Sequence, residues 1–513
     1  MSTVSNKRVA KNTVILYFRM LLTMGIALYT SRVVLEVLGA SDYGLYNVVG
    51  GIVTMLAFLN SSMGAGTSRF MAYELGREDQ ERLSVVFNVA LVSHILIALF
   101  VFIIAETVGL WFVNTQLVFP EDRQIAVNVV YQVSIVTTML QFTQLPYNAD
   151  IIAHEKMDVY AYVTIADVLL KLTMVLLLKN IETPDGLISY SLMVLAVQII
   201  TLSAYRIYCR RNYQEAKWKF VKDKAAYKEI FAFSGWDVIG ALTVATQGQG
   251  INILLNIYFG PLINAARAIA YQVQGAFQQF TSSFMTAVNP ELVKSFAKEE
   301  YDSMVKLLND AALYSFFLLS VFVIPVMFKL KVVLDVWLVE YPKETLVFTE
   351  IVLALMIIRA LAQPVIHATH ATGDIKALNL YAGLLGLLPL PVAWIALKLG
   401  APAVATFWII LLWGVFANIA EILIFKSKLR EYFSIKRHFY YVYVRCLLLS
   451  IILCFVYYSF SILFDDSFLH FCFYYCICLI VSCLIIMFLG MPKLMRNKII
   501  GLIKQKYALY KAK

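Results

Sequence analysis

Two stretches of this chain repeat each other without a gap. Residues Asn60–Asn88 align with Thr281–Asn309 at a constant offset of 221, and Glu78 then falls on Glu299. The matched positions keep hydroxyl, amide and charged residue types in register. A gapless match of this length predicts two homologous halves, because self-similarity at a fixed offset is the signature of a duplicated architecture.

Further matches extend the repeat well beyond this segment. Gly39 aligns with Gly260 at the same offset of 221. Residues 153–161 align with 369–377 at an offset of 216, which pairs His154 with His370 and Asp158 with Asp374. Two matches nearly 100 residues apart at almost one offset indicate that the duplication covers most of the chain. Duplicated bundles are how many membrane transporters build a central path.

The composition places both halves in a membrane. Of 513 residues, 61% are hydrophobic and only 15% are charged, and the mean hydropathy is +0.75. The surface of a soluble domain needs more charge than this. About fourteen stretches are long enough to span a hydrocarbon layer; they are 13–38, 43–65, 84–113, 124–146, 157–178, 186–206, 230–257, 262–289, 307–329, 345–368, 377–398, 401–425, 440–463 and 467–490.

We therefore predict an all-α integral membrane protein made of two parallel six-helix bundles. A pseudo-two-fold axis normal to the membrane relates the bundles, since each repeat holds an even number of spans. The predicted domains are an N-terminal bundle at 1–220, a C-terminal bundle at 221–438, and two extra helices with a basic tail at 439–513.

The distribution of Lys and Arg predicts the topology. Most of the basic residues fall in loops on the side of the N-terminus, including the segments 206–228, 426–437 and 493–513. The positive-inside rule then places both termini in the cytoplasm. The net charge of +10 is explained by this bias and by attraction to anionic lipid headgroups, so we expect membrane lipids and not nucleic acid as contacts.

Cations inside the spans are the first candidates for a binding site. Facing lipid at mid-membrane, each costs roughly 2.5 to 3.5 kcal/mol on insertion scales, so most must face a cavity or a partner. We predict that these cations bind an anionic substrate in a central lumen: Arg19, Arg32, Lys171, Arg267 and Arg359.

Polar side chains recur at helical spacing beside these cations. At 100° per residue, each of four spans carries a polar stripe: Arg267, Tyr271, Gln274 and Gln278; Asp237, Gln249, Asn252 and Asn256; Arg359, Gln363 and His367; and Thr137, Gln141, Gln144 and Asn148. Pro364 should bend the third of these helices. A stripe of amides fits a hydrated lumen or polar packing between helices equally well.

Intramembrane carboxylates are the candidates for ion coupling. Asp237 and Glu350 have no obvious partner on their own helix and could exchange a proton or bind a cation. Asp167 lies four residues before Lys171, so it is either a third such group or half of a structural pair.

Enzymatic chemistry is not indicated by any motif. The chain has no phosphate-binding P-loop and no nucleophile motif. Of its seven cysteines, six lie in the last two spans, where apolar neighbours favour packing over metal binding. We expect no catalytic residues, no metal site and no cofactor.

Essentially the full chain resembles a known superfamily of exporters, and its start carries the strongest likeness. The opening VAKNTVILYFRMLLTMGIALYTSRVVLEVLGASDYGLYNVVGGI at 9–52 and SRF at 68–70, with the duplicated six-span plan, resemble the multidrug/oligosaccharidyl-lipid/polysaccharide (MOP) exporter superfamily. Within it, the chain is most similar to bacterial polysaccharide flippases of the Wzx type.

The resemblance implies a transporter of the bacterial inner membrane. It would move undecaprenyl-diphosphate-linked oligosaccharide from the cytoplasmic to the periplasmic leaflet by alternating access, for O-antigen, capsule or another polysaccharide. H⁺ or Na⁺ could drive the transport, and a polysaccharide polymerase and a chain-length regulator would be its partners. A cation-coupled multidrug exporter and a lipid II flippase are alternatives within the superfamily. A membrane glycosyl polymerase is the alternative from another class, although the chain lacks the large external loop that such an enzyme needs.

Overall fold

The computed structural model describes residues 3–154, 156–373, 376–491 and 496. Within these ranges only the backbone is described at 3–17, 60–62, 64–66, 69, 72, 76, 229–239, 287, 290 and 382. The described residues form helices and their connections, without a strand. The all-α prediction is confirmed for this part of the chain.

The helices are numbered here in chain order. They are α1 (Thr3–Met55), α2 (Phe58–Gly76), α3 (Gln80–Ile104), α4 (Leu110–Gln116), α5 (Gln124–Ala153), α6 (Met157–Asn180), α7 (Gly186–Asn212), α8 (Lys224–Phe259), α9 (Pro261–Ala297), α10 (Tyr301–Phe328), α11 (Leu330–Trp337), α12 (Thr345–Ala360), α13 (Gln363–Ala371), α14 (Gly383–Leu387), α15 (Pro389–Lys398), α16 (Val404–Lys428), α17 (Ile435–His438), α18 (Arg445–Leu463) and α19 (Phe468–Ile485). Short π-helical segments precede α4, α14 and α18 and follow α19.

Ten helical stretches of the described chain are long and apolar enough to cross a membrane. They are Phe18–Met55, Gln80–Gln116, Glu121–Ala153, Met157–Asn180, Gly186–Asn212, Tyr301–Phe328, Leu378–Lys398, Val404–Lys428, Ile435–Leu463 and Phe468–Gly490. Helices α12 and α13, taken as one broken span, would be an eleventh. The chain is therefore a multi-pass membrane protein, and the count of fourteen spans stays a prediction.

The break between α12 and α13 bends the chain by 41°. Pro364 stands in the first turn of α13, where the sequence predicted a bend. Proline has no N–H to donate to the carbonyl four residues earlier, so a continuous helix loses a hydrogen bond there. The predicted bend is confirmed.

Residues in contact group the chain into two compact units. The first unit comprises Met1–Gln272, Trp337–Thr345 and Asn379–Ile409, and the second comprises Val273–Val336, Leu346–Leu378 and Ile410–Lys513. Contact defines these units, whereas sequence repetition defined the predicted domains 1–220, 221–438 and 439–513. The domain boundaries remain a prediction.

Repeat-related glycines make the same sharp turn between helical segments. Gly39 kinks α1 with φ 74° and ψ 167°, and Gly260 separates α8 from α9 with φ 79° and ψ −177°. This backbone region is accessible almost only to glycine, because a Cβ atom would clash there. The two positions are 221 residues apart, so the repeat in the sequence coincides with a repeated elbow.

A second turn recurs at the same offset. Glu78 and Glu299, with φ of 57° and 59°, are the non-glycine residues of positive φ within the described ranges. At both turns the N–H of the next residue donates to the carbonyl five residues earlier, at 3.3 Å in the first copy and 2.9 Å in the second. This is the Schellman pattern that ends a helix. A left-handed glutamate at both equivalent positions supports a common origin of the two segments.

A half-buried cation connects three helices at one end of the first unit. Arg123, just before α5, donates to Asp42 of α1 and to Asp185 at the start of α7, with 2.8 Å from Nη1 to Asp185 Oδ2. Asp185 Oδ1 also accepts the N–H of Leu187 at 2.9 Å and so caps α7. A carboxylate at a helix N-terminus is favoured by the unpaired N–H groups there. The arrangement sets the spacing of three helices that line the cavity described next.

The loop before α8 is fixed in a related way. Asp223 accepts hydrogen bonds from the N–H groups of Ala226 and Ala225 and pairs with Arg82 at 3.0 Å. The Ala226 N–H, followed by Arg82 and Ala225, holds the pKa of this exposed carboxyl below its usual value despite some desolvation.

Candidate functional site: a polar cavity in the first unit

Three cavities in the first unit share Lys171 in their walls. Their volumes are about 410, 230 and 270 Å³. Their walls come from α1, α5, α6, α7, α8 and α9. Together we call them the Lys171 cavity. It is large enough for several sugar-sized groups, since ligand sites commonly occupy some 300 to 1,000 Å³.

Lys171 is held by a carboxylate that is itself anchored. Its Nζ donates to Asp167 Oδ2 at 2.7 Å, and Asp167 Oδ1 accepts from Thr201 Oγ1 of α7 at 3.0 Å. The Lys171 side chain remains 39% exposed, against 17% for Asp167. Because an ammonium has three donors, Lys171 can bind an anionic ligand while it keeps Asp167.

Several polar atoms of the cavity wall are buried without a protein partner. Thr137 Oγ1 and Asn148 Oδ1, both on α5, are of this kind. Nearby, Gln198 donates to Gln144 Oε1 at 2.7 Å, which fixes one amide of the wall. Buried polar atoms are normally satisfied, so unpaired ones call for water or a ligand. The wall therefore suits a hydroxyl-rich molecule.

Helical spacing explains how two elements present this wall. On α5, Thr137, Gln141, Gln144 and Asn148 recur every three to four residues, and all four line the cavity. The sequence analysis identified this stripe. It missed the face of α7 that supplies Tyr190, Val194, Gln198, Thr201 and Tyr205, whose spacing of 4, 4, 3 and 4 was the available signal.

Two predicted cations of the first unit lie against aromatic rings. The guanidinium of Arg19 is 4.9 Å from the centre of the Tyr160 ring, and Tyr160 lines the 270 Å³ cavity. Arg267 is buried, donates from Nη2 to Gly248 O at 2.7 Å, and lies 4.3 Å from the centre of the Tyr271 ring. A cation over a ring face is favourable, more so when desolvated. Nε of each arginine has no hydrogen-bond partner.

The predicted polar residues of α8 have two different environments. Gln249 lines the 410 Å³ cavity. Asn252, by contrast, belongs to a buried amide network in which Asn264 donates to its carbonyl at 2.7 Å and its side-chain oxygen at 2.8 Å. Asn256 extends this network to the backbone of Val118. These bonds hold α8, α9 and the segment before α5 together.

Arg359, in the second unit, is held by three hydrogen bonds to protein groups. Its guanidinium donates to Glu421 at 2.9 and 3.0 Å and to Asn418 Oδ1 at 2.6 Å. Asn418 in turn donates to Ile358 O at 3.0 Å. The sequence analysis did not identify Glu421. A carboxylate and an amide three residues apart in an apolar span were the signal for a bidentate partner.

Most of the remaining predicted site residues have partly exposed side chains. Each of these is half-buried: Arg32, Tyr271, Gln274, Gln278, Gln363, His367 and Glu350. The side chain of Asp237 lies outside the described part of the structure. Arg19, Arg32, Lys171 and Arg267 belong to the first unit and Arg359 to the second. Their joint role in substrate binding stays a prediction.

A further polar cluster was not anticipated from the sequence. Asp150, His154 and Glu215 bring carboxylate and imidazole atoms within 4.8 Å of one another in the first unit. Glu215 lies more than 60 residues from the other two, in the connection between α7 and α8. Spacing along the chain carries no signal of such a contact.

The comparisons with known proteins agree with this architecture. A family model described as polysaccharide biosynthesis protein matches residues 9–296, which is more than half of the chain. None of the curated proteins compared with the sequence matches it.

Solved transporter structures share the fold. The lipid II flippase MurJ in an inward closed conformation is 15% identical, with a TM-score of 0.68 over 92% of this chain and 98% of that one. An outward-facing multidrug resistance MATE family transporter of the MOP superfamily is 13% identical, with a TM-score of 0.60 over 82% of this chain and 96% of that one. A MOP superfamily transporter from Pyrococcus furiosus is 14% identical, with a TM-score of 0.59 and the same coverage. The chain therefore has the fold of MOP superfamily transporters.

Proposed function

Since the chain belongs to the polysaccharide biosynthesis protein family, we propose that it is a flippase for lipid-linked oligosaccharides. It would carry an undecaprenyl-diphosphate-linked repeat unit from the cytoplasmic to the periplasmic leaflet by alternating access. The observation that carries the proposal is the Lys171 cavity, which joins an exposed cation to a wall of amides and hydroxyls.

The chemistry of this substrate matches that wall. A diphosphate cannot enter hydrocarbon without losing its hydration, which is costly unless charged donors replace it. Lys171 supplies such a donor, and charge-assisted hydrogen bonds to phosphate oxygens are strong. The glycan would meet Thr137, Gln141 and Asn148, while the lipid tail stays in the bilayer. Arg19, Arg32 and Arg267 of the same unit would contribute to the path.

The cavity favours this substrate over a cationic drug. Asp167 is the carboxylate in its wall, and Lys171 already neutralises it at 2.7 Å. A drug cation would therefore meet no free negative charge at this position. The Pyrococcus furiosus transporter is described as having a binding pocket of reverse polarity that suggests a different function. Pocket polarity is thus a reasonable guide to substrate class within this fold.

Transport in proteoliposomes tests the proposal. The purified chain is reconstituted with an undecaprenyl-diphosphate oligosaccharide that carries a fluorescent sugar, and the fraction reached by an external membrane-impermeant quencher is followed in time. We expect protein-dependent flipping that Lys171→Met slows. Flipping of lipid II instead would favour the MurJ-like alternative. No flipping of either lipid, together with uptake of a fluorescent drug cation, would overturn the proposal.

The driving force is tested with the same vesicles. We propose that Asp237, Glu350 or Asp167 couples transport to H⁺ or Na⁺, because an intramembrane carboxylate can bind either ion. Imposed gradients of each ion should then change the flipping rate in wild type and not in the matching Asn or Gln variant. If the wild-type rate ignores both gradients, the flippase is uncoupled.

The cellular setting follows from the same proposal. The protein would act in the bacterial inner membrane with both termini in the cytoplasm, without enzymatic activity of its own. A polysaccharide polymerase and a chain-length regulator would use its product for O-antigen, capsule or another polysaccharide.

A further inference from the structure

Three donor atoms converge at the end of α5. His154 Nε2 lies 2.7 Å from Glu215 Oε1 and 3.6 Å from Asp150 Oδ1. Asp150 and His154 are one helical turn apart, so their side chains point from the same face. Glu215 reaches them from the non-helical connection between α7 and α8. An imidazole and two carboxylates therefore face one point from two segments of the first unit.

Asp150 gives the reason to look for a ligand here. The residue is fully buried, and neither of its carboxylate oxygens has a hydrogen-bond partner. One of these oxygens points at the imidazole, as the 3.6 Å separation shows. An ionised carboxylate buried without donors is costly, so it requires a cation or a proton.

Neighbouring side chains hold the other two candidate ligands, Glu215 and His154, in place. Gln80 Nε2 donates to Glu215 Oε2 at 2.7 Å, which leaves Oε1 directed at His154. The ring of Tyr213 stacks on the imidazole with centroids 3.9 Å apart and planes 2° from parallel. Groups around a metal site commonly fix its ligands in this manner.

We propose that Asp150, His154 and Glu215 bind one divalent transition-metal ion, with Zn²⁺ as the best fit. Two carboxylates and a neutral imidazole balance the charge of a divalent ion, so the buried site becomes neutral. The imidazole nitrogen favours Zn²⁺ over Mg²⁺ and Ca²⁺, which prefer oxygen ligands. Three protein ligands leave one position of a tetrahedral ion for water.

The spacing of the donors suits such an ion after a small movement. Bonds of about 2.0 to 2.2 Å place tetrahedral ligand atoms about 3.3 to 3.6 Å apart. The His154–Asp150 distance of 3.6 Å is at the upper end of this range, and the His154–Glu215 distance of 2.7 Å must open. Glu215 can supply the movement because it lies outside a helix. The bound ion would fasten the α7–α8 connection to the end of α5, on the predicted cytoplasmic side.

Metal content and thermal stability of the full-length protein test the site. The tag-free protein, purified in detergent and stripped with a chelator, is incubated with a small molar excess of Zn²⁺ and desalted. We expect one Zn²⁺ per chain and a higher unfolding temperature with Zn²⁺ than without. Asp150→Asn should lower the bound metal at least tenfold and abolish the Zn²⁺-dependent shift, whatever its own unfolding temperature is.

Two further variants keep the test decisive. Glu215→Gln retains the size of the side chain and should also lose the metal. The matched control is His470→Ala. His470 also lies beside a carboxylate, 3.6 Å from Asp465, but at an exposed site. This variant should bind Zn²⁺ as wild type does. Wild type that binds no Zn²⁺, or Asp150→Asn that binds as much as wild type, would overturn the proposal and leave a proton as the partner of Asp150. A thermal shift with Mg²⁺ or Ca²⁺ but not Zn²⁺ would overturn it as well.

Discussion

Two ion pairs within apolar helices of the described chain are built differently. In the first unit, Lys171 pairs with Asp167 at 2.7 Å and remains 39% exposed to a polar cavity. In the second, Arg359 pairs with Glu421 at 2.9 Å, and the side chains are only 27% and 6% exposed. Arg359 also uses a further donor bond on Asn418. One cation faces a polar cavity and makes a single bond to protein, whereas the other is fixed by three bonds to two residues of α16.

The difference teaches that an intramembrane cation is not by itself a binding site. Both residues satisfy the same requirement, since a charge in a membrane needs a partner. The number of hydrogen bonds that each cation makes to protein groups and the exposure of its side chain distinguish them. By this criterion we rank Lys171 above Arg359 as a substrate contact, and the predictions below test that ranking.

The largest effect is expected when the buried pair is broken. Glu421→Ala leaves the Arg359 guanidinium without its carboxylate, and breaking one side of a buried pair costs about 3–5 kcal/mol. The unfolding temperature in detergent and the amount of protein in the membrane should both fall. Glu291→Ala, at a side chain that is 63% exposed, should leave both unchanged. Equal unfolding temperatures for the two variants would contradict a structural role for Glu421.

Replacing both partners should recover most of that loss. In Arg359→Met with Glu421→Leu no charge is left unpaired, and apolar replacement of a buried pair is often neutral or stabilising. We expect an unfolding temperature near that of wild type and flipping that persists. If the double variant is stable but inactive, Arg359 contacts substrate after all and the ranking is reversed.

A functional effect without a stability effect is expected at Lys171. Lys171→Met keeps the length of the side chain and removes the charge that would meet a diphosphate. The flipping rate should fall at least tenfold, which is about 1.4 kcal/mol. The unfolding temperature should change little, because pairs with an exposed partner contribute about 0–1 kcal/mol. A parallel loss of stability and flipping would show that Lys171 serves the fold instead.

The smallest effect is expected at an ion pair on the surface. Lys331 and Asp335 on α11 are 2.6 Å apart with side chains 71% and 45% exposed. Lys331→Ala should change the unfolding temperature little and leave flipping intact, since solvent screens such pairs. A larger loss would mean that proximity alone, without burial, decides the strength of these pairs.

Periodic features were predictable from the sequence, while contacts between distant segments were not. The repeat, the polar stripe of α5 and the bend at Pro364 depend on residues close together along the chain or on a constant offset. The partner of Arg359 is 62 residues away on another helix. Asp150 and Glu215 meet only because α5 ends beside the connection after α7. Such pairings are set by packing, which helical periodicity does not encode.

The elbows at Gly39 and Gly260 carry information about the history of the chain. Sequences of duplicated genes drift apart, yet a residue held at φ near +75° and ψ near 180° cannot be exchanged for another type without strain. Selection therefore acts on these two codons independently of substrate or coupling ion. In distant relatives whose halves no longer align, a pair of glycines at about this separation should still mark corresponding points of the two copies.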